Sequence, residues 1–332
     1  MNDVREGIQS MKSFRDKLAV ITGGGTGMGR ALAEQLAAEG CHVAMCDVSA
    51  ENMAETRARC EAGAPAGVRI TTHVCDVADE RQVVAFRDAV KAQQRTDHIN
   101  LLFNNAGIGG GGSFLKDDRA EWDRTFGICW FGVYFCSRAF LPLLVASDEG
   151  YIVNTSSVNG FWACLGPSTP HTAYSAAKFA VKGFSEALLV DLRVNAPHVK
   201  VAVVMPGHVG TSIIINSSRI LGKPDALDMG QQDVALLRER LQGRGLPVAD
   251  MTDDQIKSLM HQLTLSFRDN APVTAAQAAT VILDGVRRDA WRILVGDDAH
   301  AIDRMVRESP ETAYEKSFTQ ALHQQGFLPF SE

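Results

Sequence analysis

Thr22-Gly23-Gly24-Gly25-Thr26-Gly27-Met28-Gly29 stands between an apolar run over 17–22 and an amphipathic segment over 28–39. A strand, a glycine-rich turn and a helix start, in that order, aim backbone N–H groups at a bound pyrophosphate, with glycines where the chain turns sharply beneath it. Gly23, Gly27 and Gly29 have G-x-x-x-G-x-G spacing, which differs from the G-x-G-x-x-G fingerprint of many dinucleotide-binding folds. Ordinary tight turns look similar, so the neighbourhood decides. About twenty residues on, the second apolar run ends in Asp47, where a carboxylate accepts hydrogen bonds from a ribose 2′-hydroxyl and repels a 2′-phosphate. No Arg or Lys stands at Thr26 or directly after Asp47, which favours NAD over NADP.

Outward from the turn, the first half alternates short apolar runs with amphipathic stretches, as βα units feeding a parallel sheet do. Strands are predicted over 17–22, 41–47, 68–76, 99–104, 151–156 and 199–205, and helices over 28–39, 50–61, 80–94, 122–145 and 173–194. The expected fold is therefore α/β, a Rossmann-like doubly wound parallel sheet in three α/β/α layers. Past residue 210 the rhythm breaks. The polar stretch 212–270, with helical segments at 232–241 and 252–265, reads as a helical insertion after the sixth strand, a substrate loop or lid. The rhythm resumes with a helix over 274–288, a strand over 291–295 and a helix over 299–307. Residues 1–13 read as a loose arm and 14–332 as a single Rossmann-like domain.

Composition excludes several classes. The 332 residues are 45% hydrophobic and 22% charged, and a net charge of -6 without a single-sign run argues against a nucleic-acid partner. Seven cysteines without a C-x-x-C pair, and histidines without ligand spacing, signal neither a metal site nor a disulfide framework and point to the reducing cytoplasm. The first residues lack the apolar stretch of a secretory signal, and no later run approaches membrane-spanning length, so no membrane association is expected.

Tyr174 and Lys178 lie one helical turn apart and leave the same helix face. A phenol with a pKa of about 10 is a poor base at neutral pH, and a neighbouring ammonium is expected to lower that value, fitting Tyr174 for proton transfer with an alcohol or ketone. Y-x-x-x-K is common by chance. What raises its weight is the strand just upstream, which ends in Ser156-Ser157 at the carboxyl edge of the sheet, where open α/β sheets bind ligands.

With these residues assembled, the chain resembles the short-chain dehydrogenase/reductase family in its single-domain, NAD-dependent branch, well over about 14–211 and loosely beyond. The family's T-G-x-x-x-G-x-G turn is matched by Thr22 to Gly29, and its N-N-A-G motif by Asn104, Asn105, Ala106 and Gly107. Its substrate-orienting serine is matched by Ser157 and its Y-x-x-x-K by Tyr174 and Lys178. Pro206, Gly207, Val209 and Thr211 match P-G-x-V-x-T, and Asp76 with Val77 the acidic position near the adenine. The resemblance implies hydride transfer between a secondary alcohol or its ketone and a nicotinamide, with Tyr174 as acid/base, Ser157 on the substrate oxygen and Lys178 on the ribose. It implies cofactor contacts from the turn (Gly23, Gly25, Thr26, Gly27, Met28, Gly29), from Asp47, and from the other matched motifs. It also implies a homodimer or homotetramer joined through the long helices, with Trp130, Phe131 and Tyr134 offering apolar area.

One departure concerns the proton path. Where the family usually has asparagine in N-x-x-G, this chain has Cys129-Trp130-Phe131-Gly132. A cysteine keeps the main-chain carbonyl and loses the amide, which puts the part played by Cys129 in doubt. Phe114, Phe161, Trp162, His171 and Ile213, in the loops above the catalytic groups, are expected to wall a bulky hydrophobic or aromatic substrate. Two rivals carry opposite signatures: a non-catalytic NAD-binding regulator would lack the tyrosine or lysine, and a dehydratase or sugar-nucleotide epimerase on this fold would differ in glycine spacing.

Overall fold

Runs of small and β-branched apolar residues, buried on both faces, build the sheet. The computed structural model describes residues 11–166, 169–243 and 245–327. The strands are β1 (Leu18–Thr22), β2 (His42–Asp47), β3 (Ile70–Val74), β4 (Leu101–Asn104), β5 (Gly150–Thr155), β6 (Val199–Pro206), β7 (Val209–Gly210), β8 (Val273–Thr274) and β9 (Arg292–Val295). Seven of them form one parallel sheet in the order β3-β2-β1-β4-β5-β6-β9, while β7 pairs only with β8. The strand order reverses between β1 and β4, so their carboxyl ends open the crevice in which such sheets bind ligands.

The helices are α1 (Gly27–Ala38), α2 (Ala50–Gly63), α3 (Glu80–Gln94), α4 (Arg119–Phe126), α5 (Gly132–Val145), α6 (Thr172–Asn195), α7 (Ile213–Ile220), α8 (Gln231–Gly243), α9 (Asp253–Asp269), α10 (Ala275–Arg287), α11 (Asp297–Glu308) and α12 (Lys316–Gln324). One apolar layer joins α1, α2 and α10 to the sheet, and a second joins α3, α5 and α6 to its other face, giving three layers. Side-chain oxygens of Ser49, Asp79, Thr252 and Thr274 cap α2, α3, α9 and α10.

Several expectations need correction. Met11 and Phe14 are buried against the layer around α10, and Lys12 donates to the Arg287 carbonyl, so the arm expected over 1–13 is anchored from Met11; residues 1–10 lie outside the described ones. The helix expected over 122–145 starts at Arg119, capped by Asp118, and passes through a π-turn at Gly127–Phe131 before α5. Joined in this way, Arg119–Val145 is long and apolar enough to cross a membrane by length and composition, contrary to the reading that no run approaches that length; half of its most apolar window is buried inside the fold.

Isoleucines 213–215, expected in a loop, begin α7. As β-branched residues they are weak helix formers, and their packing over the crevice overrides the propensity. Beyond α7, Val234, Leu241, Val248 and Ile256 give the 212–270 stretch a small core of its own. The helix α12 carried no sequence signal beyond Phe318 and Leu322, four residues apart, which bury beside Trp162.

Candidate active site

The turn between β1 and α1 is tight enough to demand glycine. Gly23 has φ of +66°, and at Gly29 a Cβ would fall 2.1 Å from the Gly23 carbonyl oxygen. Thr26, the N-cap of α1, makes no side-chain cap bond, so the first N–H groups of this helix keep their donors free for an anion, unlike those of the capped helices. The Thr22 hydroxyl accepts the N–H groups of Asn105 and Ala106, each at 3.0 Å, and the Asn105 amide donates to the Thr22 carbonyl at 3.1 Å. These bonds lock the ends of β1 and β4 together.

Asp47 is held by two N–H groups, Gly25 on Oδ2 and Ser49 on Oδ1, each at 3.0 Å. Asp76 ion-pairs with Arg124 at 2.7 Å. Gly23, Thr26, Gly27, Met28, Asp47, Asp76, Val77, Asn105, Ala106, Gly107 and Thr211 line one cleft of about 340 Å³. Gly25 and Gly29 sit in the turn behind it. Together, an uncapped helix start, a glycine cradle and an anchored carboxylate fit a dinucleotide's pyrophosphate and ribose. Arg124, Asn216 and Arg219 also line the cleft. The first two residues of this trio and the third belong to no motif, and no sequence signal singles them out.

A second cavity, of about 420 Å³, adjoins the cleft and shares Met28, Asn105, Gly107, Thr211 and Ile213 with it. Ser157, Tyr174, Lys178, Pro206, Gly207 and Val209 line this cavity. The end of β5 and the start of α6 are stitched together by reciprocal bonds: the Ser156 hydroxyl donates to the Lys178 carbonyl at 2.7 Å, and the Lys178 ammonium donates to the Thr155 carbonyl at 2.8 Å. Ser156 is thereby turned inward, while Ser157 faces Tyr174 within hydrogen-bonding reach. Lys178 Nζ lies 5.3 Å from the centre of the Tyr174 ring.

Burial dominates the acidity of both groups. It pushes the Tyr174 phenol well above its usual range, with the nearby Cys129 thiol adding to the rise and the Ser157 hydroxyl opposing it. Burial likewise pushes the Lys178 ammonium down. The acidifying effect of Lys178 expected from the one-turn spacing is therefore not the governing influence in this site. Cys129 sits in the π-turn, fully buried, with its thiol donating to the Ile108 carbonyl at 3.2 Å, behind the cavity rather than on its wall. π-turns inside helices recur at functional sites.

Of the residues expected to wall the substrate, Trp162, His171 and Ile213 line the cavity, and His171 stacks on Tyr174 with ring centres 4.6 Å apart. Phe114 does not: it is 76% exposed at a loop tip held outward by ion pairs of Lys116 and Asp117 to α8. Phe161 does not either: its ring lies under the Arg292 guanidinium and packs against the apolar cluster around Trp162 instead of lining the cavity. In their place stand Leu221, Phe267, Asp298, Ile302 and Phe327, drawn from helices and a C-terminal segment far along the chain. The loop that carries Phe161, Trp162 and His171 includes residues 167 and 168, which lie outside the described residues.

Comparison with known proteins bears on this arrangement. Residues 17–219 match the short chain dehydrogenase family. A protein of Mycobacterium tuberculosis described as a putative oxidoreductase, SadH, is 34% identical over 297 residues, 90% of this chain and 92% of its own length. The crystal structure of a short chain dehydrogenase/reductase from Burkholderia phymatum in complex with NAD superposes with a TM-score of 0.70 at 28% identity, covering 96% of this chain and 98% of that one. A metagenomic short-chain oxidoreductase in complex with NADP has a TM-score of 0.52 at 30% identity, covering 58% of this chain and 83% of that one. With its sheet order, glycine turn and Ser157, Tyr174 and Lys178 gathered at one sheet edge, this chain belongs to the short-chain dehydrogenase/reductase family of oxidoreductases.

Proposed function

We propose that this protein is an NAD-dependent alcohol dehydrogenase or ketone reductase acting on a bulky, hydrophobic or aromatic secondary alcohol or its ketone. The observation that carries the reading is the convergence of Ser157, Tyr174 and Lys178 on one mostly apolar cavity that opens into the dinucleotide cleft. A bound nicotinamide dinucleotide supplies the hydride chemistry. The chain's own residues orient and protonate. The Ser157 hydroxyl holds the substrate oxygen, and Tyr174 exchanges a proton with it through its phenolic oxygen. Lys178, anchored on the Thr155 carbonyl, fixes the position of Tyr174 and offers its remaining N–H donors to the cofactor ribose.

The choice of NAD rests on Asp47. Its carboxylate points into the cleft, and its lining neighbours Val48, Ser49 and Asn52 carry no charge that would neutralise a 2′-phosphate. Arg30, the cation nearest in sequence to the turn, is already engaged and does not line the cleft: it donates to the Gly25 carbonyl at 2.7 Å and pairs with Glu55 at 2.8 Å. Exposed Phe131 on the π-turn, Val145 on α5, and Phe179, Val190 and Val194 on α6 support a homodimer or homotetramer joined through those helices.

The test is consumption of NADH, against NADPH as control, with a panel of aryl and alkyl ketones, followed across pH. Because burial raises the Tyr174 phenol, its proton is retained through neutral pH. Ketone reduction is then level at neutral pH and falls in alkaline solution, whereas alcohol oxidation, which needs the phenolate, rises by up to about tenfold per pH unit. Equal use of NADPH would remove the role given to Asp47, and parallel slopes for the two directions would remove the role given to Tyr174.

A further inference from the structure

The cavity above Tyr174 shares a wall with another. His208, Phe267, Asp298 and Phe327 line both, and the second cavity, of about 640 Å³, exceeds the first. The wall is one layer of side chains. The His208 ring lies against the Phe267 ring with centres 4.3 Å apart, and its Nε2 donates to the Phe267 carbonyl at 2.8 Å.

Asp298 stands in this wall, only 5% exposed. One oxygen accepts the His208 N–H at 2.6 Å and the other the Ala299 N–H at 2.8 Å. Among the described residues no Lys, Arg or His side chain forms an ion pair with it. It presses so closely on Gly207 that a Cβ there would fall 2.1 Å from Oδ2. A carboxylate removed from water to this extent loses most of its hydration. Two N–H donors and the start of α11 offset part of that loss, yet a carboxylate has about four lone-pair sites and only two are used here. The surroundings sharpen the preference: Val158, Trp162 and Ile302 make the first cavity largely apolar, its two lysines are engaged, Lys223 with Glu121 at 2.7 Å and Lys178 with the Thr155 carbonyl at 2.8 Å, and Asp297 adds a second acid to the far cavity. In such a poorly solvated setting a hydrogen-bond donor is drawn to Asp298 and an anion is repelled.

We propose that the substrate is a two-part molecule. Its apolar body, carrying the reacting carbinol or carbonyl carbon, fills the cavity above Tyr174. A remote hydrogen-bond donor, a hydroxyl or an ammonium group, is accepted by Asp298 at the wall, and longer substrates pass beyond His208 and Phe267 into the second cavity. Substrates ending in a carboxylate or phosphate are turned away. This inference rests on the ketone reductase reading above.

The test uses the full chain with NADH and four matched ketones: benzylacetone and its para-hydroxymethyl, para-aminomethyl and para-carboxyl derivatives. Both kcat/KM and the dissociation constant, from quenching of tryptophan fluorescence in the NADH-bound protein, are measured. The hydroxymethyl and aminomethyl compounds are expected to exceed benzylacetone by roughly tenfold or more in each quantity, and the carboxyl compound to fall below it. In Asp298→Asn the ranking flattens, because an amide cannot accept two N–H groups and a ligand donor as the carboxylate does. Should that variant not fold, Phe267→Ala keeps the carboxylate and thins the wall. It is expected to raise kcat/KM for a para-hydroxyhexyl derivative relative to benzylacetone. Equal binding of the carboxyl and hydroxymethyl compounds by the unaltered protein, or a ranking that survives Asp298→Asn, overturns the inference while leaving ketone reduction intact. Binding in the expected order without turnover overturns the reductase reading and leaves this inference standing.

Discussion

The dinucleotide cleft and the cavity above Tyr174 adjoin each other, yet they are built in opposite ways. The floor of the cleft is made by loops that directly follow β1, β2, β3 and β4, with Arg124 and side chains of α7 at its sides, and backbone groups do most of its work: the turn from Gly23 to Gly29, the N–H groups that fix Asp47, and the Thr22 bonds to Asn105 and Ala106. The cavity is walled by side chains from remote segments, with Trp162 after β5, Leu221 and Phe267 in the 212–270 stretch, and Asp298, Ile302 and Phe327 beyond β9. A backbone-built site constrains short, contiguous runs of sequence. A side-chain-built one constrains only size and polarity at scattered positions.

Tyr174 lines the cavity and not the cleft, and it gives the largest separable effect. Tyr174→Phe is expected to lower kcat by about two to four orders of magnitude, the usual weight of a positioned acid/base, with NAD affinity unchanged. Steady-state rates and a cofactor titration check both halves of that statement. Loss of NAD binding in step with rate would mean that the phenol belongs to the cleft as much as to the cavity.

Gly29→Ala tests the backbone-built side alone. The added Cβ meets the Gly23 carbonyl and the Asn105 amide, neither free to move because both are engaged in locking β1 to β4. Overpacking of this kind costs about 1–3 kcal/mol, and here it displaces the N–H groups at the start of α1. A lowered Tm together with weakened NAD binding is expected. A variant that binds NAD normally would show the turn to be an ordinary tight bend.

This division also sets what could be read from sequence alone. The glycine turn, Asp47, the Asn104 to Gly107 run and the one-turn spacing of Tyr174 and Lys178 are local patterns, and the strands come from dense apolar runs, so the sheet, the cleft and the proximity of Tyr174 to Lys178 are all legible. Aromatic loop residues near a site point to a substrate wall, and Phe114 and Phe161 fit that pattern without lining the cavity. Nothing local distinguishes them from Trp162, whose indole N–H is pinned to the Ala313 carbonyl at 2.7 Å, 151 residues away. Asp298 was invisible for the same reason: only the pairing of β9 with β6 brings it against Gly207. Helical spacing reports the lysine beside Tyr174 and says nothing of burial, which dominates the acidity of the phenol.

The smallest effect is expected where the two regions are tied. Helix α7 crosses from one to the other: the Asn216 amide donates to the Thr26 hydroxyl at 3.0 Å, and the Ser217 hydroxyl accepts the Gly109 N–H at 2.8 Å. Thr26 and Asn216 line the cleft, whereas Gly109, Ile214, Ser218 and Leu221 line the cavity. Asn216→Ala deletes one partly buried neutral hydrogen bond, about 0.5–1.5 kcal/mol, and leaves the packing core untouched. Release of NADH, followed by stopped-flow fluorescence, should therefore quicken severalfold while Tm stays nearly constant. If release is unchanged, α7 does not restrain the cofactor and the cleft is closed by its own backbone. If release quickens and the KM for ketone also rises, α7 couples the two regions, because a helix loosened from Thr26 also shifts the wall it lends to the substrate.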